Sequence, residues 1–181
     1  MFTILFQFSY YALLSWFMLP IEPPVSQNPL TTHGITFQYY WRGDSLEIQL
    51  SAPTQGWIAA GFHSDNTLVG TDLYMFCIRQ GNVMYQDQYI RNLNDHPADA
   101  LMGGRSDVKI MGGLEDEWGT TVKFRIPLQS GDTFDFTHQV DQQFWLLLAY
   151  AEEDDFQHHS IIRKWVPYQL TRSSPWTQEP D

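Results

Sequence analysis

VKFRIPL at residues 122–128 and FWLLLAYA at residues 144–151 are the stretches whose reading decides the fold. In the first, Val122, Phe124 and Ile126 alternate with Lys123 and Arg125, the period of a strand with one face inward and one in water. The second has no such alternation. A strand that is apolar on both faces sits centrally in its sheet, and it is also suited to line a cavity. Working outward, the same short runs recur as ITFQYYW (35–41), SLEIQLSA (45–52), GWIAAGFH (56–63), VGTDLYMFCIR (69–79) and VMYQDQYI (83–90). DVKIMGGL (107–114), EWGTTVKFRIPL (117–128), QQFWLLLAYA (142–151) and SIIRKWVPYQL (160–170) complete them. Gly43-Asp44 and Gln80-Gly81-Asn82 mark turns, and Asn92–Ser106 reads as an excursion between strands. Short β-branched and aromatic runs, punctuated by Gly, Asp, Asn or Pro, predict an all-β fold: a two-layer antiparallel Ig-like β-sandwich of about 8–10 strands.

Composition narrows the function. The chain has 181 residues, 21 acidic against 10 basic, and a formal net charge of −11. Such a surface repels phosphate backbones, so nucleic-acid binding is excluded as an expectation. Cys77 is the single cysteine; it forms no intrachain disulfide and rules out a thiolate cage for zinc or an iron–sulfur cluster. The 15% aromatic content favours a β-rich core or an aromatic ligand surface.

Phe2–Ile21 carries no charge, and the first basic residue is Arg42. Residues 1–21 therefore read as a signal peptide or membrane anchor, with residues 2–21 just long enough to span a bilayer. The expected location is extracytoplasmic: secreted, periplasmic or anchored by this segment. Residues 22–33, rich in proline, read as a linker, residues 34–172 as the sandwich, and residues 173–181 as a C-terminal tail.

In order along the chain, five segments carry a resemblance: GWIAAGF (56–62), VGTDLYMFCI (69–78), YQDQYIRN (85–92), VKFRIPLQSGDTFDF (122–136) and WLLLAYAEEDDFQHHSIIRKW (145–165). Together they resemble the DOMON domain, the β-sandwich found beside the catalytic core of dopamine β-monooxygenase and as the cytochrome part of cellobiose dehydrogenase. The resemblance implies an exported sandwich that binds haem b, a sugar or another ligand, and it does not imply catalysis. In haem-binding members iron is held by a Met from the loop before the G-x-D strand and a His from the closing loop. Carried over, the His falls on His159, four residues before Arg163, which is then available to a propionate; the Met position falls on Leu68, four residues before Asp72. Leucine offers iron no lone pair. A second ligand would have to come from Met75, His63 or Met84.

The plainer readings stand beside these. His159 fits a solvated loop histidine, and Met75 fits a core residue of an apolar strand. If His158 and His159 lie in a strand or its entry, at most one of them points inward. Asp72 fits a residue that caps a bulge or bonds the preceding loop, and Asp87 could pair with Arg91 or with nothing. Glu152–Asp155 could hold calcium, although a solvated charge run explains them as well. Trp57, with Trp41, Trp118, Trp145 and Trp165, could stack on a porphyrin or a sugar, or simply pack. There is no G-x-S-x-G, H-E-x-x-H or Gly-rich phosphate loop, and the expectation is a module rather than an enzyme. One function is haem b binding for electron transfer or redox sensing, with metal ligation by His159. The other is a haem-free carbohydrate- or protein-binding module. Either is compatible with an accessory subunit anchored to a membrane or redox partner protein.

Overall fold

The computed structural model describes residues 28–172. Ten strands follow in chain order: β1 Leu30–Thr32, β2 Ile35–Arg42, β3 Ser45–Ala52, β4 Ile58–His63, β5 Asp72–Arg79, β6 Asn82–Tyr89, β7 Lys109–Asp116, β8 Gly119–Pro127, β9 Gln143–Tyr150 and β10 Ile162–Gln169. They form two five-stranded antiparallel sheets, ordered β1-β2-β3-β8-β7 and β10-β9-β4-β5-β6. The all-β two-layer sandwich expected from the sequence is the fold. Strand β1 lies inside the stretch read as linker and pairs with β2, Thr32 opposite Ile35. The apolar segment 1–21, residues 22–27 and the tail 173–181 lie outside the described residues. No helix among the described residues is long and apolar enough to cross a membrane.

Turn chemistry sets the registers. Arg79 pairs with Asn82, so Gln80-Gly81 is a two-residue loop, and both residues have positive φ (52° and 74°) as a type I′ turn requires. The alternation of VKFRIPL is realised in β8, where Val122, Phe124 and Ile126 are buried and the intervening side chains are partly exposed. They meet Ile58, Ala60, Phe62, Tyr74, Phe76, Phe144, Leu146 and Leu148 from the other sheet in one core between the layers. Ring contacts join the two, Phe76 lying 4.4 Å from Phe124.

Strands β4, β5 and β9 are buried on both faces. Their inward residues feed the central core, while Ala59, Leu73, Met75, Cys77, Leu147 and Ala149 form a second apolar cluster on the outward face, with Trp57, Ile90 and Ala151. FWLLLAYA thus has no alternation because neither face of β9 meets water freely. Connecting segments roof this outer face. The β9–β10 connection is held by the Trp57 N–H to the Glu153 carbonyl (3.0 Å) and by an Arg79–Asp154 ion pair. Gly56 permits that approach, since a Cβ there would meet the backbone carbon of Glu152 at 2.4 Å.

Candidate functional site

The roof leaves a cleft of about 280 Å³ on the outer face of the second sheet. Its floor is a cross-strand row: Met75 of β5 pairs with Ala59 of β4, Ala59 with Ala149 of β9, and Ala149 with Arg163 of β10. The two central side chains are methyl groups, so the floor is flat. Leu73 and Leu147 continue it, and Ile90, Phe156 and Leu68 close its sides.

The rim is polar. His158, His159 and Arg163 come from the β9–β10 connection and the start of β10, while Asn94 and His96 come from the segment after β6. Trp57 also lines the cleft; it is 4% exposed, and its indole N–H has no partner. A buried donor without an acceptor is costly, so it favours a ligand bearing an oxygen.

The structure therefore brings together five of the six residues singled out in the sequence: Trp57, Leu68, Met75, His159 and Arg163 all line the cleft. His63 does not. It sits at the end of β4, its Nδ1 accepting the Asp65 N–H (2.8 Å), and Gly70 (φ +93°) abuts its other nitrogen, where a Cβ would come within 2.7 Å of Nε2. Its ring is thus committed to the loop before β5. Met84, the other outlying candidate ligand, is exposed on the edge strand β6 and is not among the cleft residues.

His158 and His159 correct the sequence reading in a different way. Neither lies in a strand, so strand alternation does not separate them, and both line the cleft. His158 leans on Asp155 (3.3 Å). Sequence reasoning missed His96. Its Nδ1 lies 2.8 Å from the Gln88 side-chain oxygen, and the Gln88 amide nitrogen donates to Gln86. A carbonyl oxygen only accepts, so Nδ1 carries the proton and Nε2 keeps its lone pair. No spacing rule joins residue 96 to residue 159, and only the packing of the two connections does so.

The residues present suit a flat group with an apolar body and an acidic edge. The apolar floor accepts the hydrophobic body, Arg163 the anionic edge, and imidazole nitrogens are good iron ligands. Leu68 stands in the cleft where a thioether was expected, so the donor set is nitrogen-only apart from Met75 in the floor. Cys77 takes no part: it is fully buried, and burial pushes its thiol up to about 11.

Strand β5 has a second chemical feature on its inward face. Asp72 accepts hydrogen bonds from the Phe136 N–H and the Tyr74 hydroxyl (both 2.9 Å), tying β5 to the β8–β9 connection rather than to its own preceding loop. Asp87 accepts from the Asp107 N–H (3.0 Å), while Arg91 pairs with Asp95 instead. Asp72, Asp87 and Asp135 place carboxylate oxygens within 4.8 Å of one another. Burial raises all three, Asp87 to about 7, and raises nearby Asp99 to about 8. Glu152, Glu153 and Asp155, by contrast, are exposed.

Residues 31–164 match the model of the DOMON domain family. MOXD1 homolog 2 of Drosophila melanogaster is 27% identical over 139 residues, 71% of this chain and 18% of that protein. The mouse DOMON domain-containing protein FRRS1L is 29% identical over 90 residues, 50% of this chain and 29% of that protein. The chain thus spans less than a third of these relatives. Among solved structures, the cytochrome b domain of pyranose dehydrogenase from Coprinopsis cinerea superposes with a TM-score of 0.57 at 10% identity, covering 75% of this chain and 76% of that one. The cytochrome domain of Myriococcum thermophilum cellobiose dehydrogenase gives 0.57 at 12% identity, covering 84% and 80%. At these identities the likeness is one of fold.

Proposed function

Because the chain belongs to the DOMON domain family, we propose that it is an exported binding module whose outer-face cleft takes haem b for electron transfer or redox sensing, and that it is not itself catalytic. The observation that carries this reading is the convergence of His159, His96 and Arg163 on a flat apolar floor. When bound, haem b would supply a one-electron centre. His159 would be the principal nitrogen ligand and His96, with its tautomer set by Gln88, the second. Arg163 and the Trp57 indole N–H would meet the propionate edge, and Leu73, Leu147 and Phe156 would exclude water from the inner edge. A partner redox or membrane protein would reach the cleft at its open rim.

One observation favours a second reading. Leu68 gives no donor where the family resemblance expects methionine, so a haem-free cleft that holds a carbohydrate or another small flat ligand against Trp57 is the alternative.

The test is reconstitution of the whole protein with haemin, followed by a visible spectrum. A Soret band lost in His159→Ala, weakened in His96→Ala and strengthened in Leu68→Met is expected. A wild type that binds no haemin, or a His159→Ala variant that binds it equally, would sink the haem reading in favour of the alternative.

A further inference from the structure

Residues from four separate segments bring carboxylates to one place on the inward side of β5, across the strand from the cleft. Asp72 opens β5, Asp87 lies in β6, Asp99 in the short 3-10 turn Asp99–Leu101, and Asp135 in the β8–β9 connection. The oxygens of Asp72, Asp87 and Asp135 lie within 4.8 Å of one another. Two oxygens held by one calcium ion at about 2.4 Å can be no more than about 4.8 Å apart, so the spread is that of a single coordination shell.

The second observation is independent of that spacing. Asp99 is 0% exposed, and neither of its carboxylate oxygens has a hydrogen-bond partner. It faces the like charges of Asp87 and Asp135. One oxygen each of Asp72 and Asp87, residues only 1% and 3% exposed, is likewise without a donor. None of the four makes an ion pair with a lysine or arginine among the described residues. Buried carboxylates are ordinarily paired, hydrogen-bonded or bound to a cation. Asp99 meets neither of the first two options and Asp72 and Asp87 meet them with one oxygen only, and every donor is a hard oxygen, with no imidazole or thiolate in the trio.

We propose that Asp72, Asp87, Asp99 and Asp135 form a calcium site that clamps the β6–β7 and β8–β9 connections to the edge of the second sheet. The remaining positions of a shell of six to eight oxygens are open to backbone carbonyls and water. A cation here joins residues 63 positions apart along the chain, reinforcing long connections that the Asp72–Phe136, Asp87–Asp107 and Arg105–Asp132 hydrogen bonds already tie together.

The experiment strips the full chain with EDTA and titrates calcium chloride, reading thermal melting and calorimetric heat. Terbium luminescence gives a local readout, because the Tyr74 hydroxyl bonds Asp72 and can sensitise an ion held there. Expected are one ion per chain and a melting temperature raised by about 5 °C or more at a hundredfold excess over Kd. Magnesium should give a smaller shift. Asp87→Asn and Asp99→Asn should fold in EDTA at least as well as wild type, yet lose affinity at least about tenfold. An unchanged melting curve with calcium, terbium emission that persists in both variants, or an equal response to magnesium overturns the assignment.

Discussion

The two sheets each have five strands, most of them eight residues long, yet they treat their outer faces differently. In the first, β8 and β3 send Lys123, Arg125 and Glu47 outward, and Glu47, 3% exposed, is covered by the Lys123 Nζ (2.7 Å), an Arg125 guanidinium nitrogen (2.8 Å) and Arg42 (3.7 Å). That face is complete as it stands. In the second sheet the outer face of β4, β5 and β9 is a row of methyl, thioether and isobutyl groups, roofed by loops that leave a cleft. An apolar outer face that its covering loops leave partly open has the shape and chemistry of a ligand cleft. The buried charges follow the same division: Glu47 is fully partnered, whereas the acids inside β5 and β6 are not.

The largest effect expected would break what the sheets share. Phe124→Ala removes a fully buried ring that packs on Phe76 of the opposite sheet, and should cost about 3–5 kcal/mol in urea unfolding. A loss below about 1 kcal/mol would mean the layers do not depend on that contact.

A smaller effect separates the two electrostatic regions by sign. For Glu47 burial raises the pKa, but hydrogen bonds from Arg125 and Lys123 and the charges of Lys123 and Arg42 outweigh it, so the net shift is downward. Its contribution is present above the ordinary value of 4.5 and is lost as the pH falls below it. Glu47→Gln should cost about 1–2 kcal/mol at pH 7 and flatten the acid limb of the stability curve. Asp87 is shifted the other way, by burial first, from 3.8 to about 7. The folded protein then holds a proton that the unfolded chain releases, and the stability so gained is lost as the pH rises from 3.8 through about 7. In EDTA at pH 8, Asp87→Asn should therefore stabilise by about 1–2 kcal/mol. Chemical denaturation of both variants across pH checks the pair, and a common sign would erase the distinction.

The last variant should carry the clearest functional effect. Ala149→Phe places a ring on the cleft floor, on the outward side of β9 where Ala149 is buried, and should cost about 1–3 kcal/mol in unfolding. Haemin or sugar binding at the cleft should nevertheless fall at least about tenfold. Undiminished binding would place the ligand elsewhere.

The sequence alone determined the class of fold and most strand positions, because alternation and turn chemistry are local: SLEIQLSA is β3 residue for residue, and Gln80-Gly81 is the turn. The family motifs also carried His159, Arg163, Leu68, Met75 and Trp57 to one site. Tertiary structure decided what no period records. It placed His158 and His159 in a loop where alternation does not apply, committed His63 to Asp65, and added His96 to the rim. It also gathered acids 72, 87 and 135 at one point, with Asp99 near them, while leaving most of the conspicuous acidic run at 152–155 in solvent. Side-chain periodicity fixes which face a residue occupies; which faces and loops then meet depends on contacts across tens of residues, and those are set only when the two layers pack.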